Sequence, residues 1–165
     1  MKNMKTIIAI DPGASGGIAV QQFGHTYCEA MPATLGDLVG TIREIKSASD
    51  QEGVETICLL EQVGGYAGMA QPGSAMFRFG EHFGFTKGVL QTLGIKLVMV
   101  RPQTWQKVFS LGTASQCGSK GKWKNKLKAE AQRRFPHLNV TLKTADALLI
   151  LEYFRSSWDA NSKQP

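Results

Sequence analysis

An apolar, β-branched run from Thr6 to Ile10 stops abruptly at Asp11, and Pro12-Gly13 and Gly16-Gly17 punctuate the next few residues. Short apolar runs separated by glycine-rich turns predict hairpins. Thr6 to Asp11, Gly16 to Phe23 and His25 to Met31 are therefore read as an antiparallel meander. The period then changes. Leu35, Leu38, Val39, Ile42 and Ile45 share one helical stripe, with Thr34 as a cap, which predicts a helix from Leu35 to Ser49. Thr56 to Leu60 is too short for a helix and apolar throughout, the mark of a central strand buried on both faces; it ends in Glu61.

Val63 to Gln71 carries three glycines and reads as a loop. The helix expected from Gly73 to Leu93 repeats glycine at 80, 84 and 88. Each costs about 1 kcal/mol of helix propensity relative to alanine, so that bare face is expected to pack closely against the sheet or another helix. Lys96 to Val100 is a further strand, and Pro102 suits the first turn of a short helix through Phe109. A loop over Gly112 to Gly121 leads to a basic helix from Lys122 to Phe135. The last helix runs from Thr144 to Trp158, before a polar tail over 159–165. The order β-β-β-α-β-α-β-α-α-α describes one α/β domain over 1–158, a mixed sheet with helices around it.

At 165 residues the chain has room for one substantial core. No apolar run approaches a membrane span, and the opening MKNMK leads straight into a strand, so neither a membrane protein nor a signal peptide is expected. Cys28, Cys58 and Cys117 show no metal-ligand spacing and suit reduced thiols in a cytoplasm. A net charge of +6 admits a polyanionic partner.

Asp11, Glu61 and Asp146 carry the chemistry. Asp146 lies three, four and seven residues before Leu149, Ile150 and Tyr153, and so shares their inward face. Singly, Asp11 could be a turn residue, Glu61 a solvated strand end and Asp146 a favourable first-turn charge. Together, three converging carboxylates make a costly site without a cation. Hard oxygen donors suit magnesium, with manganese as a substitute. Two such ions can activate water and stabilise a leaving oxygen in phosphodiester hydrolysis.

IAIDPGASGGIAV, LLEQV and TADALLILEYF resemble the three acidic motifs of RuvC-type Holliday junction resolvases, within the ribonuclease H-like nucleases. The resemblance runs from Thr6 to Tyr153. It implies a mixed five-stranded sheet with helices on both faces, in which the strands ending at Asp11 and Glu61 are neighbours. It also implies a homodimer that nicks four-way DNA junctions with two divalent ions per site, held by Asp11, Glu61 and Asp146. The compact size suits a bacterial or phage enzyme. Members often have an acid or histidine three positions before the last aspartate. Lys143 stands there and is expected to point at the scissile phosphate.

Lys120, Lys122, Lys124, Lys126 and Lys128 crowd the basic helix, while Trp123, Leu127 and Ala131 form its anchoring stripe. The lysines are expected to face solvent and meet phosphates. Arg101 and Lys107, flanking Trp105, are further DNA candidates. Tyr66, in the loop after Glu61, could stack on an unpaired base, with Met69 beside it. Two other classes remain open: an actin-like ATP-binding domain, and a branched-DNA-binding protein without catalysis.

Overall fold

The sheet has five strands in the order β3-β2-β1-β4-β5 in the structure, a computed structural model that describes residues 4–64 and 72–161. In chain order they are β1 (Lys5–Asp11), β2 (Gly17–Gln22), β3 (His25–Ala30), β4 (Glu55–Glu61) and β5 (Lys96–Val100). The helices are α1 (Leu35–Gln51), α2 (Gly73–Thr92), α3 (Pro102–Lys107), α4 (Lys120–Arg134) and α5 (Ala145–Asn161). β1, β2 and β3 form the expected antiparallel meander, and β4 and β5 add in parallel to β1. A parallel neighbour needs a crossover, which α1 and α2 provide.

Side chains alternate across a strand, so each central strand feeds two cores. Ile7, Ala9, Ile57 and Leu59 face a core shared with Trp105, Trp123, Leu127 and the α5 residues Leu148 and Leu149. Ile8, Ile10, Cys58 and Leu60 face the other core, with Leu38, Ile42 and Leu90 from α1 and α2. Helices therefore cover both faces. Asp11 and Glu61 continue the first series in register, because Ile10 pairs with Leu60. Both acids thus come to the same end of the sheet, on the face that α5 covers. No helix among the described residues is long and apolar enough to cross a membrane.

Two expectations change. The glycine face of α2 does not pack: a Cβ at Gly80, Gly84 or Gly88 would meet nothing within 4 Å among the described residues. What holds α2 is the opposite side, through buried Thr86 and Leu90 and the half-buried Phe83 and Val89. The stretch before α4 is also more ordered than a plain loop. It holds a short 3-10 turn over Ala114–Cys117, and Ser119 caps α4 by accepting the Lys122 N–H, so the helix starts at Lys120.

Candidate active site

Asp11 is positioned by a turn with almost no spare volume. A Cβ on Gly16 would overlap the Asp11 carbonyl, and one on Gly17 would overlap the carbonyl of Lys143. Glycine at these places lets the loop that opens α5 lie directly on the start of β2. That close approach brings Asp146, on the first turn of α5, to the end of β1. α2 closes the turn from the other side. Phe79 lies where a Cβ on Gly13 would come within 2.9 Å, and the Gly13 N–H donates to His82 Nδ1 at 3.3 Å.

Glu61 ends β4 beside Val100 of β5. Its Oε2 accepts the Trp105 Nε1–H at 2.7 Å. Asp146 is 3% exposed. Its Oδ2 receives the Lys124 ammonium, and its Oδ1 is buried with no hydrogen-bond partner among the described residues.

The acids share one electrostatic environment. Burial first, then the charges of Glu61 and Asp146, push Asp11 up to about 8. Burial and Asp146 likewise push Glu61 up to about 7, against the opposing indole hydrogen bond. Burial works against the charge on Lys124, but Asp146, Asp11 and Glu61 outweigh it and hold the ammonium above its usual range. The cation acting on Asp11 and Glu61 is thus Lys124.

The two lysines differ, and only Lys124 departs from its reading. Lys143 is exposed, and its backbone is what is engaged, with the N–H on Thr141 Oγ1 and the carbonyl against Gly17. It lies outside the first turn of α5, which aims Asp146 inward and leaves position 143 at the surface. Lys124 does not face solvent with its neighbours. It is one residue after Trp123 and three before Leu127, at the edge of the anchoring stripe. Its aliphatic stem can follow that stripe inward while the ammonium meets the acids.

Among the other candidates, Lys120, Lys122, Lys126, Arg101 and Lys107 are exposed, and Lys128 is half-buried. Lys126 donates to the Leu111 carbonyl at 2.6 Å. Arg101 caps α3 at the same sheet end as Glu61. Tyr66 and Met69 lie outside the described residues. Trp105, His82 and Phe79 also touch the site, a role that their sequence context does not signal.

As they stand, no three His, Cys, Asp or Glu side chains among the described residues are gathered closely enough to hold a metal ion. The donors nonetheless fit one chemically. They are carboxylates, the cation ligands of choice for magnesium, and one buried oxygen of Asp146 has nothing to bond among the described residues.

A mixed sheet with this strand order, covered on both faces, is the ribonuclease H-like α/β fold. The particular likeness is to RuvC. The chain is similar to Thermus thermophilus RuvC in complex with a Holliday junction substrate, with a TM-score of 0.54 and 14% identity over 89% of this chain and 90% of that one. It is also similar to another Thermus thermophilus RuvC structure, with a TM-score of 0.52 and 14% identity over 93% and 96% of the two chains. No family model and no curated protein matches the chain. The resemblance read from the acidic motifs is thus borne out at the level of fold.

Proposed function

We propose that this protein is a divalent-metal-dependent DNA endonuclease that resolves four-way junctions as a homodimer by hydrolysing phosphodiesters. The observation that carries the reading is the meeting of Asp11, Glu61 and Asp146, from β1, β4 and α5, at one end of a RuvC-like sheet. Asp11, Glu61 and Asp146 would hold magnesium, or manganese in its place, as two ions. A bound divalent cation supplies Lewis-acid charge at the phosphodiester. Trp105 fixes Glu61 through its indole N–H. Asp11 and Glu61 must give up any protons they hold before they can ligate, which makes loading favourable toward higher pH.

Exposed Lys120 and Lys122, with Arg101 and Lys107, supply positive charge for phosphates. Arg133 and Arg134 are already paired with Glu130, and Arg134 also with Glu152, so they contribute less. The open arrangement of the acids favours one second reading, a junction-binding protein that does not cut.

One experiment separates the two. The protein is incubated with a synthetic four-way junction and with matched linear duplex, each with magnesium and with chelator. The expected result is paired nicking of the junction only with magnesium, lost in Asp146→Asn, with junction binding retained in chelator. Junction binding without nicking, in magnesium or manganese, would establish the non-catalytic reading.

A further inference from the structure

We infer that Lys124 is the resident counter-ion of the acidic centre, bonded to Asp146 while no metal is bound and exchanged for a divalent cation when one enters. This rests on the metal-dependent reading above and deepens it. Three observations converge. The Lys124 ammonium is bonded to Asp146 Oδ2, on a carboxylate whose side chain is 5% exposed. The other oxygen, Oδ1, is buried and has no partner among the described residues. The acids are not drawn together into a three-ligand cluster among those residues.

An ammonium explains all three. It donates along separate hydrogen bonds and carries a single charge, so it can satisfy one carboxylate oxygen without gathering the rest. A divalent ion such as magnesium is held by carboxylate and water oxygens and carries twice the charge. Asp146, with its unpartnered Oδ1, and Asp11 and Glu61 beside it are the residues that would hold such an ion. The ammonium occupies Asp146 Oδ2, and a divalent ion on that same oxygen would sit against it and repel it at close range. Metal entry thus expels the ammonium.

The exit is built in. The Lys124 side chain is 36% exposed, so it keeps contact with solvent. Turning outward carries the ammonium to the side of α4 where Lys120 and Lys128 lie one turn away on either side. There it is available to a DNA phosphate. Metal loading and phosphate binding then favour one another through a single side chain, and the coupling is reciprocal.

The test uses the whole protein without DNA, titrated with magnesium and with manganese. In wild type, acetylation of Lys124 by acetic anhydride, followed by mass spectrometry against exposed Lys122, should rise on metal addition. Lys124→Met should bind metal about tenfold more tightly by calorimetry, a typical coupling between linked sites. It should also melt lower than wild type in chelator. Metal binding by wild type with unchanged Lys124 labelling would overturn the exchange and leave the metal reading intact. So would a folded Lys124→Met with equal or weaker metal affinity. The labelling arm stands if that variant does not fold. No binding of either metal by wild type would remove the metal reading, and the exchange with it.

Discussion

The indole of Trp105 is fully buried in the core beneath α5, and its one polar atom is directed at Glu61. Such a bond is strongest when its acceptor is ionised. Trp105→Phe keeps a ring in the core and removes the donor. It should cost about 1.5–3 kcal/mol where Glu61 is charged and roughly half that where it is protonated. Urea denaturation on either side of pH 7 measures this, and an equal cost at both would show an effect of packing alone. Much of the site is legible at this scale. Asp11, Glu61 and Asp146 each end an apolar run or share an apolar stripe, and burial follows from that. The partners are not legible. Trp105 stands out in sequence only as the neighbour of Arg101 and Lys107, and Lys124 as one lysine among five, because a side chain's direction depends on what lies across from its helix. The stripe-edge position of Lys124 is the available signal.

Among the elements, α2 and α4 depart most from expectation. A glycine every four residues suggests a close-packed face, yet in the single chain that face is open among the described residues. Gly84→Ala should therefore raise stability by about 1 kcal/mol in helix propensity alone, read by thermal or urea unfolding. A loss of stability, or a shift toward smaller species in ultracentrifugation, would mean that a second copy lies against these glycines. In sequence α4 reads as uniformly basic, but its cations divide. Arg133 and Arg134 go to Glu130, Lys124 to Asp146 and Lys126 to a carbonyl, while Lys120, Lys122 and Lys128 make no such bonds among the described residues. Changing those last three to Ala should reduce the slope of log affinity for DNA against log salt by about 0.9 for each phosphate no longer neutralised. Linear duplex and junction should be affected alike, since phosphate contacts carry no sequence. An unchanged slope would show a face that is only solvated. The meander is legible from its turns, whereas the pairing of β1 with β4 follows from the resemblance of the acidic motifs. The open face of α2 is not legible, because propensity states a cost without saying whether anything offsets it.

For the whole molecule, the acidic centre makes stability depend on pH. Asp11 at about 8 and Glu61 at about 7 lie above their values in an unfolded chain, near 4. The folded protein then holds protons that the unfolded chain has released. The stability they contribute is complete below about pH 4, falls as pH rises from there, and is gone once pH has passed about 7 for Glu61 and about 8 for Asp11. Metal-free protein should melt progressively lower up to about pH 8 and level off above it, and the rise in Tm produced by magnesium should grow over the same range. Asp11→Asn combined with Glu61→Gln should flatten the metal-free dependence. His82, held low by burial, acts in the opposite sense but nearer its ordinary range. Differential scanning fluorimetry from about pH 5.5 to 9, a span that brackets both titrations, measures all of this. A Tm that climbs between about 5.5 and 8 in chelator would contradict it. The placement of the acids has one more outcome, for a ribosome making the chain. Asp11 is translated with the first strand, Glu61 only after the α1 crossover, and Asp146 with the final helix. The β-meander can form early from local contacts, whereas β4 and α5 close over long loops and arrive late. A partly synthesised chain therefore carries the basic residues of α4 before it carries a complete acidic set. On the proposed function, a cutting activity that needs all three acids would stay silent until α5 docks, sparing a cell nicking by unfinished copies.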